Sequence, residues 1–139
     1  PKEQEIYNAV TGFNIIVKDG DINDRVKDKN HPNHKLGYDL LEPRTSIGYD
    51  ENNNIMIWIV VDGRQPGFSN GINLYDLAEL QIAEGATQAF NMDGGGSSTL
   101  VVAGQGVVNS PSDGGERSVA NHLGIYGEMY DYKTIEVDS

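Results

Sequence analysis

Apolar residues fall into short runs bounded by Gly, Asn, Asp and Pro, a pattern that predicts β-strands separated by turns. Seven strands are predicted, at residues 13–17, 45–49, 55–61, 87–92, 98–102, 105–108 and 121–126. The third run, IMIWIVV, is apolar at every position. We therefore expect it to be a central strand that is covered on both faces.

One helix is predicted, at residues 74–84. Asn73 can cap its first turn, and Gly85 follows where a left-handed residue ends a helix. A stripe at helical spacing, apolar at three of its four positions, should pack on a sheet. This stripe consists of Leu74, Leu77, Ala78 and Gln81.

The order strand, helix, strand over residues 55–92 predicts a right-handed βαβ crossover, whose two strands run parallel and end at one edge. Asp62 follows the first strand and Asp93 follows the second. Because ligands of open α/β sheets bind outside that edge, both carboxylates become candidate site residues. The expected fold class is α+β, a mixed sheet with a βαβ unit, β-hairpins and few helices.

Length and composition bound the domain organisation. The 139 residues suit a single domain, with residues 128–139 as an edge strand or a tail. Residues 19–39 are polar and longer than most loops of compact domains, so they are expected to be either functional or mobile. The chain begins with Pro, which suggests a trimmed or excised segment.

The net charge of −11 disfavours nucleic acid and anionic lipid as partners. No apolar run approaches the roughly 20 residues that span a bilayer. Cysteine is absent, which excludes disulfides and thiolate metal sites. His31 and His34 are interpreted as solvated loop residues, so neither a metal site nor a cofactor is expected.

A glycine-rich segment follows the predicted strand 87–92. It consists of Asp93, Gly94, Gly95, Gly96, Ser97 and Ser98. Three consecutive glycines cost conformational entropy, which indicates close approach of a ligand to the backbone. Successive N–H groups and the two hydroxyls suit phosphate or sugar oxygens. The alternative is a glycine-rich bulge that leads into a hairpin.

Between Leu36 and Tyr132 every Lys or Arg residue is an arginine, and thirteen acidic residues lie in the same stretch. The three arginines are Arg44, Arg64 and Arg117. Guanidinium groups bind phosphate oxygens in bidentate fashion, so these residues are candidate phosphate ligands. The alternative is that they compensate neighbouring carboxylates.

Four segments resemble the phosphodiester glycosidase family in order and spacing. They are PRTSIG at 43–48, VVDGR at 60–64, NMDGGGSSTL at 91–100, and Glu116-Arg117 with Ala120-Asn121. The resemblance covers about residues 13–126 and implies hydrolysis of the bond between a sugar's anomeric carbon and a phosphate. The absence of Cys and of Asn-x-Ser/Thr sites favours a bacterial or phage member, in an extracellular, cell-envelope or phage-particle location.

The resemblance implies functional roles for six positions, which are Arg44, Asp62, Arg64, Asp93, Ser97 and Arg117. Phosphate departure leaves positive charge on the sugar, so one carboxylate must stabilise it while another group handles the proton. We assign Asp93 as nucleophile or oxocarbenium stabiliser and Asp62 as acid/base or substrate-hydroxyl anchor. These two roles can be exchanged, and the arginines form the phosphate clamp.

Family domains carry an upstream half that has no counterpart before Phe13. We therefore expect full activity to need an upstream segment or a neighbouring chain, most simply a second copy in a homo-oligomer. The alternative function is a non-catalytic carbohydrate- or phosphate-binding module of a cell-wall or phage tail protein.

Overall fold

A computed structural model describes residues 9–128 and 132–136. Its strands are β1 Asn14–Lys18, β2 Asp21–Ile22, β3 Arg44–Asp50, β4 Ile55–Val61, β5 Gln88–Asn91, β6 Val101–Val102 and β7 Gly106–Val107. The first five form one sheet in the order β2-β1-β5-β3-β4, and β6 pairs with β7 as a separate hairpin. All neighbouring strands are antiparallel.

The helices are α1 Asp24–Lys27 and α2 Leu74–Ala83, and the 3-10 turns are Leu36–Tyr38 and Gly95–Ser97. The fold is therefore α+β with few helices, as the sequence predicts. Across residues 9–128 and 132–136, no helix has the length and apolar character needed to cross a membrane.

Helix α2 confirms the predicted capping. The Asn73 side chain accepts a 2.8 Å hydrogen bond from the backbone N–H of Asp76, and Gly85 follows the helix with φ of +104°. The four residues of the predicted stripe are the buried ones. Within that stripe Gln81 donates to the Ser46 hydroxyl of β3 at 2.8 Å, which ties the helix to the sheet.

Strand β3 lies between β4 and β5 and is antiparallel to both. Strands β4 and β5 therefore run in the same direction and end at one edge of the sheet, as predicted. They are not hydrogen-bonded to each other, because the crossover passes over β3. This topology brings Asp62 and Asp93 to the same edge.

The position predicted for the strand at residues 55–61 is wrong. Strand β4 is an edge strand rather than a central one, and Met56 is 57% exposed. Its alternate residues Ile57, Ile59 and Val61 pack against the core. The continuous apolar pattern therefore reflects two apolar faces and not a central position.

The strand predicted at residues 121–126 is not formed. Within the described residues after β7 there is no regular strand, and Ile125 is exposed. No backbone hydrogen bond to residues 121–126 is found in the described part of the chain, and an apolar run without a partner strand cannot form a sheet. Residues 132–136 have no regular structure, and the rest of the predicted tail after Glu128 lies outside the described residues.

Residues 19–39 form several short elements rather than one long loop. They contain β2, α1 and the turn Leu36–Tyr38. Tyr38 is buried, and its hydroxyl donates to the Asn14 side chain at 2.7 Å. This contact fixes the segment against β1, beside the sheet edge where β5 ends.

Candidate active site

The glycine-rich turn after β5 is packed against groups of the protein itself. A side chain at Gly94 would lie 2.7 Å from the Pro43 carbonyl oxygen, and one at Gly96 would overlap the Asp113 carboxylate. Gly95 has φ of +61° and lies beside the Arg64 guanidinium. Glycine is therefore required at Gly94 and Gly96 by the packing of Pro43 and Asp113 and at Gly95 by its positive φ, and a ligand's approach to this backbone stays a prediction.

Asp62 is held by the segment that follows the β6–β7 hairpin. Its Oδ1 accepts hydrogen bonds from Asn109 Nδ2 and from the Ser110 backbone N–H, both at 2.9 Å. Asn109 also donates to the Ser98 carbonyl at 2.9 Å and accepts from the Leu100 N–H at 2.7 Å. One amide side chain therefore connects the end of β4 to both ends of the hairpin.

A second contact secures the same segment. Gln65 Nε2 donates to the Ser110 carbonyl, and the Ser110 hydroxyl donates to Gln65 Oε1, each at 2.7 Å. Gln65 lies three residues after Asp62. The turn that follows β4 and the segment that follows β7 thus hold one another in place.

Asp93 lies in an open cleft of about 360 Å³. Its Oδ1 accepts a 2.9 Å hydrogen bond from the Gly94 N–H. The cleft is lined by Phe13, Asn14, Lys35, Gly37, Tyr38, Arg44, Leu74, Asn91, Met92, Asp93 and Gly94. It therefore combines aromatic and cationic side chains with one strand-end carboxylate.

Arg44 is half-buried at the wall of this cleft. Its Nε donates to the Ile72 carbonyl at 3.2 Å, and its Nη2 donates to the Gly37 and Leu40 carbonyls at 3.0 and 3.1 Å. Burial lowers the pKa of the guanidinium from its ordinary value, since the charged form loses hydration. These bonds fix the position of the charge.

Arg64 and Arg117 lie beside the glycine-rich turn, and each is paired with a carboxylate. Arg64 Nε contacts Glu42 at 2.5 Å, and this hydrogen bond raises the pKa of Arg64. Arg117 contacts Asp113 at 3.3 Å and donates to the Ser97 hydroxyl at 2.6 Å. Both ion pairs are exposed, so each contributes about 0–1 kcal/mol to stability.

Arg64, Arg117 and Ser97 lie beside Gly95 and Gly96, whereas Arg44 lines the cleft that contains Asp93. Ser98 is buried and accepts a 3.3 Å hydrogen bond from the Thr45 hydroxyl. In the part of the chain that the structure describes, no hydrogen bond joins Asp62 to Asp93. Their expected carboxyl separation, within about 10 Å, stays a prediction.

Comparison with known proteins supports the resemblance carried by these residues. The family model described as phosphodiester glycosidase matches residues 1–126. The chain belongs to the phosphodiester glycosidase family. The match contains all four segments that carry the resemblance, including both strand-end aspartates.

Individual relatives are similar to part of the chain. The SPbeta prophage-derived protein YomE of Bacillus subtilis is 45% identical over 83 residues, which are 60% of this chain and 12% of YomE. N-acetylglucosamine-1-phosphodiester alpha-N-acetylglucosaminidase of Bos taurus is 35% identical over 74 residues, 53% of this chain and 13% of that enzyme. The matches thus span a small part of these relatives.

The same enzyme from zebrafish provides a structural comparison. Its catalytic domain, auto-inhibited by a pro-peptide, superposes with a TM-score of 0.59 and 28% identity. The superposition covers 74% of this chain and 34% of the zebrafish chain. The fold of the chain is therefore that of part of a catalytic domain of this family.

Sequence reasoning missed several residues that shape the site, namely Lys35, Glu42, Asn109, Ser110 and Asp113. Asn109 follows β7 as Asp62 follows β4, so the polar residue after an apolar run was the available signal. Lys35 lies one residue before the stretch in which the cations were counted. Over the described residues, no group of three His, Asp or Glu side chains could hold a metal ion.

Proposed function

We propose that the chain hydrolyses the bond between the anomeric carbon and the phosphate of a sugar-1-phosphodiester. One observation carries this proposal beyond family membership. Each strand-end aspartate has one carboxylate oxygen anchored, by Asn109 and Ser110 for Asp62 and by the Gly94 N–H for Asp93. Among the described residues, the second oxygen of each accepts no hydrogen bond. Anchored carboxylates with one available oxygen suit acid/base and nucleophilic roles.

In this reaction the bond between the anomeric carbon and the phosphate oxygen breaks, and the electron pair leaves with a phosphomonoester. A water oxygen bonds to the anomeric carbon. One of its protons stays on the new anomeric hydroxyl, and the other passes through the acid/base residue to the leaving phosphomonoester. Asp93 acts as nucleophile or stabilises the oxocarbenium charge, and Asp62 acts as acid/base or anchors a sugar hydroxyl. The two roles can be exchanged between the aspartates.

The phosphate ligands in this proposal are the three arginines and the turn. Arg44, Arg64 and Arg117 supply guanidinium donors, and the turn supplies the Ser97 hydroxyl and the Gly96 N–H. Among the described residues, the N–H groups of Gly94, Gly95, Ser97 and Ser98 already donate within the protein. The turn residues are Gly94, Gly95, Gly96, Ser97 and Ser98. The contacts of Arg64 and Arg117 with the turn support this assignment.

The test is release of N-acetylglucosamine from the methyl ester of N-acetylglucosamine 1-phosphate, followed by NMR. Asp93→Asn and Asp62→Asn should each lower the rate by about 10²–10⁴-fold. Glu79→Gln makes the same charge change on the exposed side of α2 and should leave the rate unchanged. The anomeric configuration of the first product distinguishes a covalent nucleophile from direct attack by water.

Undiminished rates in both aspartate variants would contradict the proposed roles. A wild-type chain that binds the diester without releasing sugar would instead be a carbohydrate- or phosphate-binding module, the second candidate. The similarity to a prophage-derived protein supports a phage or bacterial origin, and we propose an extracellular, cell-envelope or phage-particle location.

We also propose that a second copy covers the sheet face away from α2. Pairing across β1, β5, β3 and β4 places an apolar row on that face, formed by Ile15, Phe90, Ile47 and Trp58. Ile15 is 56% exposed and Phe90 and Trp58 are half-buried, whereas Ile47 is already buried within the chain, so the open part of this face lies around Ile15. Exposed apolar surface of this kind commonly packs in oligomers. Light scattering should give the mass of a dimer or larger assembly, and Ile15→Asp should reduce it. A wild-type monomer would contradict this proposal.

A further inference from the structure

The three arginines near the glycine-rich turn differ in whether their charge is compensated. Arg64 is paired with Glu42, and Arg117 is paired with Asp113. In residues 9–128 and 132–136, Arg44 forms no ion pair. Glu42 also attracts Arg44 at longer range, but that carboxylate is hydrogen-bonded to Arg64. Glu42 can compensate only one of the two guanidinium groups, Arg44 and Arg64, so one positive charge stays uncompensated.

Arg44 is positioned to present that charge to a ligand. Three carbonyl oxygens hold its Nε and Nη2 atoms, and within the described residues no hydrogen bond uses its Nη1 donors. A half-buried cation is costly without an opposite charge, because it loses part of its hydration. An anion in the Asp93 cleft would supply both the charge and the missing acceptor.

Lys35 adds a second cation to the same cleft. In the segment that supplies it, Lys27 is paired with Asp21 and Lys29 is paired with Asp39. Lys35 forms no ion pair with any residue that the structure describes. Lys35 and Arg44 thus place two cations without an ion pair beside the cleft that contains Asp93.

The segment around Lys35 is anchored. The Tyr38 N–H donates to the Lys35 carbonyl at 2.8 Å, and the Tyr38 hydroxyl reaches Asn14 at 2.7 Å. His34, directly before Lys35, contacts the Arg25 carbonyl at 2.8 Å. The backbone of Lys35 is therefore held beside the cleft while its side chain stays exposed.

We propose that Arg44 and Lys35 form the anion subsite of this cleft and hold the phosphate of the substrate. The assignment of the anion as a substrate phosphate rests on the proposed function. Asp93 opposes an anion here, and two cations outweigh one carboxylate. When the bond to the sugar breaks, the phosphate gains negative charge, and both cations stabilise that charge. Arg64 and Arg117 are each paired with a carboxylate, so they contribute less to anion binding and also shape the turn.

Anion binding tests the subsite without requiring turnover. The full chain is titrated with inorganic phosphate and with glucose 1-phosphate, and backbone amide NMR shifts are followed. We expect shifts at Gly37, Asp93 and Gly94, and a Kd that rises with salt because the contact is electrostatic. Lys35→Gln should raise the Kd about fivefold to tenfold, as expected for loss of a charge-assisted contact.

Lys29→Gln is the matched control, because it makes the same charge change in the same segment. It should alter the Kd less than about twofold, since Lys29 is exposed and paired with Asp39. Arg44→Lys keeps the charge but loses the planar guanidinium group and its paired donors, so it too should raise the Kd. Arg117→Gln should raise the Kd less than Lys35→Gln does, because Arg117 is already paired with Asp113.

Equal changes of the Kd in Lys35→Gln and Lys29→Gln would overturn the subsite. Amide NMR shifts that are confined to residues 95–97 and that only Arg117→Gln abolishes would also overturn it. The outcome is separable from the proposed function. Phosphate binding that depends on Lys35, without sugar release, would support the subsite and contradict the hydrolase. Sugar release with an unchanged KM in Lys35→Gln would support the hydrolase and contradict the subsite.

Discussion

The chain before Asp93 and the chain after it are held together by different interactions. Within the described residues, every buried apolar core residue lies between Ile16 and Ala89. From residue 93 to residue 128 the structure contains one two-stranded hairpin and is positioned by polar side chains, mainly Asn109, Ser110 and Arg117. An apolar scaffold thus carries a polar segment, and the candidate site lies where the two meet.

The largest effect should follow from a change in the scaffold. Leu77 is fully buried in the face of α2 that packs on the sheet, so Leu77→Ala should lower the free energy of unfolding by about 2–5 kcal/mol. Denaturant unfolding followed by circular dichroism measures this. Leu36→Ala, at a position that is 80% exposed, should change it by no more than about 0.5 kcal/mol. Equal effects would show that the core is not where the structure places it.

A smaller and more local effect is expected in the polar segment. Asn109→Ala leaves the Leu100 N–H without its acceptor and removes one donor to Asp62, at a cost of about 1–2 kcal/mol for a partly buried amide. Hydrogen exchange should accelerate at Leu100 and Ser110 while amides of α2 keep their protection. Gln65→Ala, which removes the side-chain contacts with Ser110 and Gly63, is the control and should leave Leu100 protected. Uniform acceleration across both regions would contradict the comparison.

This division explains which elements could be predicted from the sequence. Burial against one sheet imposes a period on the sequence, so α2, β3, β4 and β5 were predicted within two residues of their observed ends. After Asp93 the structure depends on single hydrogen bonds between residues far apart in sequence. Asp62 and Asn109 are 47 positions apart. No local pattern encodes such a contact, and the strand predicted at residues 121–126 was wrong.

The candidate site could be predicted where topology determines it. Asp62 and Asp93 follow strands that run in the same direction, so their common edge follows from the order of elements alone. Which of the arginines are paired with a carboxylate could not be predicted in this way. Arg64 and Arg117 are paired with Glu42 and Asp113, and Arg44 is half-buried among backbone carbonyls; only the three-dimensional contacts identify these partners.

The smallest expected effect concerns His34 and its polar neighbours, which belong to the region before Asp93. The ring is 8% exposed and its two nitrogens face acceptors, the Arg25 carbonyl at 2.8 Å and the Asp39 carboxylate at 3.2 Å. Only the doubly protonated ring donates to both. The Arg25 carbonyl and then Asp39 therefore raise the pKa of His34, against the opposing effects of burial and of the Lys29 charge.

Because the folded pKa of His34 lies above the ordinary value of about 6.5, its stabilising contribution is fully present below about pH 6.5. It is lost as the pH rises through the folded pKa. Amide hydrogen exchange around Lys35, corrected for intrinsic rates, should therefore show weaker protection at high pH, and His34→Gln should remove that dependence. His122→Gln changes an exposed histidine and should preserve it. The same pH dependence in His34→Gln would show that another group controls this segment, whereas its loss there alone would connect the Arg25 and Asp39 contacts to the wall of the Asp93 cleft.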